Sequence, residues 1–182
     1  CIRDSLKSKD KMSSLSSQKN EETIKSLSSE ITKLGGKPIK KSDDLKITIK
    51  ELTKQLEEIT VKSILSDKKK NIVKDQNIKK INIRFQKVDD LPFKELRRLV
   101  DQGKKDIKEG IVVIYAIKDD KIGLAVGVTD TLTKKYDAIK FVKSGSEILG
   151  GKGGGGRSDF AQAGGVHSTK IDESFEKIKS LI

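Results

Sequence analysis

The sequence holds one cysteine, Cys1, one histidine, His167, and no tryptophan. A single thiol and a single imidazole exclude a disulfide framework, a zinc cluster and a Cys/His catalytic pair within the chain. His167 has no Asp, Cys or second His at ligand or triad spacing, so it reads as a surface residue. Asp119-Asp120 read as a turn, with no further acids nearby to make a metal site. No catalytic residue and no metal ligand set is expected. Aromatic residues are only 4% of the 182 residues while 36% are charged, which is too polar for one large core. A modest core and a long solvated element are expected instead. No apolar run approaches the roughly 18 residues needed to cross a bilayer. The chain carries no signal-peptide pattern and opens on Cys1 rather than Met, which reads as an internal or C-terminal piece of a longer cytoplasmic protein.

What is abundant is positive charge. Lys and Arg number 39 against 27 Asp and Glu, a formal net charge of +12, which points to an anionic partner. Nucleic acid is the leading candidate, ahead of an acidic membrane surface. The excess is uneven, with 21 cations against 12 acids in residues 1–86 and 18 against 15 in residues 87–182. A surplus of lysine is also what compositional bias of a genome produces, so the charge alone decides nothing.

The hydrophobic period divides the chain in two. In residues 1–19 the apolar positions Ile2, Leu6, Met12 and Leu15 are too sparse for a convincing face. Asn20-Glu21-Glu22-Thr23 reads as a helix start, a capping Asn followed by acids at the positive end of the dipole. Ile24, Leu27, Ile31 and Leu34 then make one helical stripe that Gly35-Gly36 and Pro38 end. A second start at Ser42-Asp43-Asp44 precedes Leu45, Ile49, Leu52, Leu56 and Ile59, spaced as a two-heptad seam. Two helices with a short Gly/Pro loop predict an antiparallel hairpin or coiled-coil arm over residues 1–75. One thin seam per helix buries little alone, so Leu45, Ile49, Leu52, Leu56 and Ile59 are candidates for self-association. Lys68-Lys69-Lys70 read as a solvated helix end.

From Asn77 the period becomes two. Ile81, Ile83 and Phe85 alternate with polar residues as a strand with one buried face. Pro92 opens a helix through Val100. Gly110–Ile117 and Ile122–Val128 form a buried hairpin about Asp119-Asp120. Thr129 to Thr133 supply caps for a helix through Tyr136, Ile139, Phe141 and Val142, and Asp172 to Ile182 close the chain as a helix. The expected fold is α+β: a helical arm, then a small globular domain over residues 76–182 with a mixed β-sheet flanked by helices.

Between the last two helices lies Gly150-Gly151-Lys152-Gly153-Gly154-Gly155-Gly156-Arg157-Ser158-Asp159-Phe160-Ala161-Gln162-Ala163-Gly164-Gly165, half of it glycine. A linker would continue in Gly and Ser, whereas this run returns abruptly to packable residues, so it reads as an ordered loop with a possible short strand at Phe160–Gly164. A nucleotide-binding P-loop is excluded, because Lys152 is followed by glycine and the loop follows a helix instead of preceding one. What remains is accessible backbone N–H beside Lys152 and Arg157, suited to phosphate or to a sugar–base surface. Asp159 is expected to hold the loop by bonding its N–H groups or pairing with Arg157. Phe160 is expected to anchor it in the core in preference to serving as a base-stacking platform. Gln162 is left open between the two roles.

This run, Gly150-Gly151-Lys152-Gly153-Gly154-Gly155 followed by Arg157, Asp159 and Ala161-Gln162-Ala163-Gly164-Gly165, resembles the C-terminal signature of the bacterial alanyl-tRNA synthetase family. Ala125-Val126-Gly127-Val128-Thr129 followed by Leu132-Thr133 resembles its second strand and helix start, Gly110-Ile111-Val112-Val113-Ile114 resembles the strand before, and the paired helices sit where that family has a helical linker after its editing domain. The likeness spans about residues 20–182. It departs in a fourth glycine before Arg157, in Ser158 where proline is usual and in Phe160 where methionine is common. The resemblance implies a DHH-associated globular part that binds the elbow of tRNA and a helical part for self-association, both helping aminoacylation and editing without carrying either. It implies tRNA, a second copy and the rest of the parent synthetase as partners. No cofactor is expected here, with ATP, magnesium and zinc belonging to the parent ligase. The expected tRNA-contacting residues are Lys152, Gly153, Gly154, Gly155, Gly156, Arg157, Lys134 and Lys135, with Asp159, Phe160 and Gln162 shaping the loop. The rival readings are a substrate-binding half of a DHH-type nuclease or phosphoesterase, whose loop ends in His where this chain has Arg157, and a pure oligomerisation module.

Overall fold

The computed structural model describes the backbone of residues 2–182 and the side chains of residues 15–182. Two compact units divide the chain, residues 1–63 and residues 64–182. Cys1 lies outside the described residues.

The first unit is built on helices α1 (Ile2–Lys33) and α2 (Leu45–Ser66), whose last turn runs into the second unit. Helix α1 is continuous, so Asn20 is not a cap but a half-buried residue in the middle of a 32-residue helix. At the second start the expectation holds: the Asp44 carboxylate accepts from the N–H groups of Lys46 (2.8 Å) and Ile47 (3.3 Å).

The connection between the helices is not a tight turn. Gln55 donates to the Lys37 carbonyl (2.7 Å) and accepts from the Ile39 N–H (3.3 Å). Lys41 pairs with Glu21 at 2.9 Å, and the Ser42 N–H bonds the buried Thr48 hydroxyl at 3.0 Å. Ile31 and Ile59 both pack on Gly36. Residues 36–42 therefore run back along both helices, and α2 starts beside Glu21 and reaches Ile59 beside Ile31. The two helices run in the same sense, which corrects the expected antiparallel hairpin. The physical reason is that the Gln55 amide and the Thr48 hydroxyl satisfy the backbone of an extended return segment that a short loop would not contain. Of the seam residues, Leu52 is fully buried, and Leu45, Ile49, Leu56 and Ile59 are half-buried.

The second unit opens with strand β1 (Asn71–Ile78), so the expected boundary after residue 75 falls inside a strand of the globular part. β1 turns through Lys79 and Lys80, both at positive φ, into β2 (Ile81–Asp89). A single 3-10 turn, Phe93–Glu95, follows Pro92 and leads into α3 (Leu96–Ile107). β3 (Gly110–Lys118) and β4 (Lys121–Val128) form the expected hairpin, with Asp119 and Asp120 at φ 49° and 59° as a type I′ turn requires. Helix α4 (Ala138–Ile148) is capped by Asp137, whose carboxylate accepts from the Ile139 N–H at 2.9 Å, and not by Thr129 or Thr133. Thr129 serves elsewhere: its buried hydroxyl bonds the Gly110 N–H (3.0 Å) and carbonyl (3.2 Å) across the hairpin's open end.

The glycine run is not a loop throughout. Gly154–Arg157 is strand β5, paired antiparallel with β6 (Phe160–Gly165), and α5 (Ile171–Lys179) closes the chain. The sheet order is β1-β2-β3-β4-β6-β5, antiparallel except for the parallel β2–β3 pair that α3 bridges. One face carries the main core, where Phe85, Tyr115, Leu124 and Val126 meet Phe141, Phe175 and Ile178 from α4 and α5. The Tyr115 hydroxyl is satisfied there by Ser174 at 3.0 Å, and burial raises its pKa above the usual phenol range. The opposite face is covered by α3 over β3 and β4, where Val100 and Gly127 are in close approach.

Candidate functional site

Register explains why a groove opens beside α3. On β4, Gly123 and Gly127 face α3, and pairing places Gly164 and Phe160 of β6 opposite them, with Gln162 opposite Ala125 and then Gly155 of β5. α3 covers β4 but leaves this face of β6 uncovered. A groove of about 1010 Å³ results, bounded by Phe93, Leu96 and Arg97 on one side and by Gly150–Gly154 on the other, with Phe160, Gln162 and Gly164 along its floor. Its depth comes from missing side chains: a β-carbon at Gly164 would meet only the Ile122 carbonyl, at 3.9 Å.

The groove is lined by four cations, Lys94, Arg97, Lys121 and Lys152, and by no Asp or Glu. The Arg97 guanidinium lies 5.4 Å from the centre of the Phe160 ring, which fixes a planar cation over an aromatic face. Phe160 is consequently half-buried at the groove and is not part of the core cluster, contrary to its expected anchoring role. Core side chains on β6 are instead Ala161 and, partly, Ala163, which point to the α4 side.

The expected residues separate. Lys152, Gly153, Gly154 and Gln162 line the groove. Gly155, Gly156 and Arg157 continue along β5 to its tip, outside the lining. Lys134 and Lys135 stand exposed before α4 and also outside it, Lys135 lying 5.2 Å from the Tyr136 ring centre. Asp159 holds the tip: its carboxylate pairs with Arg157 at 3.3 Å and lies 3.9 Å from Lys104, and its carbonyl accepts from the Val128 N–H at 2.9 Å. The next carbonyl back, of Ser158, accepts from the Ala138 N–H at 3.0 Å, which ties the same tip to α4. Sequence reading missed Lys94, Arg97 and Lys121. They lie well before the glycine run in sequence, and only the β4–β6 register brings them to it. The available signal was the amphipathic period of α3, which leaves Arg97 and Arg98 outside its buried stripe of Leu96, Leu99 and Val100.

A second polar hollow lies at the other end of the sheet, where Arg84 is held bidentately by Asp75 (2.7 and 2.8 Å) and also by Asp106 (2.7 Å). Arg84 hydrogen bonding holds Asp75 below the usual carboxylate range; at Asp106 the Gln102 amide and then Arg84 do the same. Each charged group there already has an ion-pair partner, so the cluster joins β1, β2 and α3. Among the described residues no group of His, Cys, Asp and Glu is arranged to hold a metal.

The DHHA1 domain family matches residues 80–182, which hold the groove and all of the sheet but β1, and the chain belongs to it. Its relatives point to one branch of the family. The chain is 49% identical over 90 residues to the alanine–tRNA ligase of Parvibaculum lavamentivorans, covering 49% of this chain and 10% of that protein. It is 33% identical over 155 residues to the alanine–tRNA ligase of Hyphomonas neptunium, covering 78% and 18%. The C-Ala domain from Aquifex aeolicus alanyl-tRNA synthetase shares the fold with a TM-score of 0.56 and 30% identity, over 59% of this chain and 96% of that one. The chain thus spans between a tenth and a fifth of the length of these ligases.

Proposed function

We propose that this chain is the C-terminal module of an alanyl-tRNA synthetase, that it holds the tRNA elbow in the groove between α3 and the glycine strands, and that it thereby aids aminoacylation and editing of alanine tRNA by the parent enzyme. The observation that carries this reading is the groove itself: seven glycines and four cations in the lining and no acid. Such a surface suits a phosphodiester backbone, whose oxygens accept from the cations and which can approach closely where glycine presents no side chain. The module contributes position and electrostatics, while ATP, magnesium and zinc chemistry belong to the remainder of the ligase. The resemblance to alanine–tRNA ligases selects tRNA from among anionic polymers.

The arm adds a second role, self-association. On the arm's seam Leu45, Ile49, Leu56 and Ile59 are only half-buried, which leaves apolar surface for a second copy to cover, and Leu15, Leu34 and Ile47 stand exposed on the same unit.

Binding of folded tRNA to the chain, measured by anisotropy across a salt series, tests the main reading. Arg97→Ala and Lys152→Ala should each lower the slope of log K against log salt by about 0.7–0.9 per lost phosphate contact. Binding that ignores salt, or that both variants leave intact, would remove the groove from the RNA surface.

A further inference from the structure

Where the cationic lining of the groove ends, an acid stands. Along α3, Arg97 lies over the Phe160 ring, and two turns further on the Lys104 side chain runs past Gly127 to donate to the Asp159 carbonyl at 3.4 Å. Arg157 reaches the same point from the end of β5. The Asp159 carboxylate sits between the two cations, 3.3 Å from Arg157 Nε and 3.9 Å from Lys104 Nζ. Gly127 and Phe160 are partners in the β4–β6 ladder, so this cluster continues the groove one step beyond Phe160. It is also open to a ligand, since the Arg157 side chain is 68% exposed and that of Asp159 32%.

The fold of the tip does not depend on the carboxylate alone. Main-chain bonds hold it, from the Val128 N–H to the Asp159 carbonyl and from the Ala138 N–H to the Ser158 carbonyl. From this we infer that Asp159 sets where the phosphate-binding surface ends: its carboxylate holds Lys104 and Arg157 in place of a phosphate, and RNA gains those cations only by displacing it. This inference rests on the RNA-binding reading above and adds the extent of the surface to it. Carboxylate and phosphate oxygens compete for the same charged donors. A carboxylate two residues from Arg157 competes as an intramolecular partner, at high effective concentration.

The test is folded tRNA binding to the full 182-residue chain across a salt series, with melting recorded for every variant. Asp159→Asn should tighten binding about two- to fivefold at about 0.1 M salt, the scale of one exposed ion pair. It should also steepen the slope of log K against log salt by about 0.7–0.9, as one phosphate is gained. Asp159→Ser should do the same, and Asp159→Glu, which keeps the charge, should keep the wild-type slope. Asp101 stands exposed on α3 between Arg97 and Lys104 and pairs with neither, so Asp101→Asn should leave the slope unchanged. Adding Arg157→Gln to Asp159→Asn should return the slope to that of the wild type. A wild-type slope in Asp159→Asn, an equal steepening in Asp101→Asn, or a gain that survives Arg157→Gln overturns the inference while the groove stands. Unfolding of both Asp159→Asn and Asp159→Ser also overturns it, by making the carboxylate a structural tie. If the wild-type chain does not bind tRNA, or binds it without regard to salt, the RNA-binding reading itself falls, and the role of Asp159 with it.

Discussion

At Gly127 a β-carbon would run into Val100 of α3, whereas at Gly164, opposite Gly123 on the neighbouring strand, it would meet open groove. The same residue type thus serves packing at one position and access at another. Gly127→Ala should cost about 1–3 kcal/mol, as overpacking does, and Gly164→Ala should leave the urea midpoint nearly unchanged while weakening tRNA binding. If both variants unfold alike, the groove floor is packed in solution and the site is misplaced. A second prediction at this scale concerns Arg84. Its bonds, with that of Gln102, depress the Asp75 and Asp106 pKa values below their unfolded ones, so the stabilisation is complete above the unfolded pKa of about 4 and is lost as pH falls through the lower folded values. Arg84→Met should therefore melt below the wild type at pH 6, and the gap should narrow below about pH 4. A gap that stays constant from pH 6 to pH 2.5 would mean that the ion pairs contribute nothing and only packing was lost. Both carboxylates are partly exposed, so the gap will be modest.

Elements were legible in proportion to how far side chains determine them. β3 and β4 announce themselves, because a strand buried on both faces must be apolar throughout and the two acids between them tolerate positive φ. β1 left no period to read: it is an edge strand, exposed along most of its length, with Ile72 and Val73 adjacent instead of alternating. β5 was unreadable for a different reason. Glycine carries no side chain to show a period, and Gly154–Arg157 is a strand only because β6 pairs with it. The arm misled through its punctuation, since Gly35-Gly36 and Pro38 end a helix equally well before a tight turn and before an extended return segment. That return gives the third prediction. With Cys1→Ser to remove the native thiol, Glu21→Cys and Lys41→Cys should be joined by a bismaleimide of about 8–10 Å span. In an antiparallel hairpin these positions would stand roughly 20 Å apart at 1.5 Å per helical residue, and no cross-link would form within a single chain.

For the whole molecule, the distribution of charge looks different once the units are known. Divided at residue 86, the first half seemed the basic one. Divided between the compact units, residues 1–63 carry 14 Lys and Arg against 10 Asp and Glu, and residues 64–182 carry 25 against 17. The lysines that weighted the first half, Lys68 to Lys70, Lys74, Lys79 and Lys80, belong to β1 and its surroundings. The arm is therefore no more basic for its length than the globular unit, and the acid-free groove is in the latter. Long-range attraction of RNA should follow the unit that holds both the larger net charge and the concave cationic lining, since a low-dielectric cleft of one sign concentrates the field. Residues 64–182 alone, which hold the whole sheet and its core, should fold, bind tRNA and keep the salt slope of the full chain within about one unit. The same truncation should abolish any concentration-dependent increase in mass in sedimentation equilibrium, because the exposed Leu15, Leu34 and Ile47 go with the arm. If the slope instead falls by half, the arm's lysines lie on the phosphates and the division of labour proposed here is reversed. If self-association persists, the exposed edge of β1 is the next surface to test, through a lysine substituted for Val73.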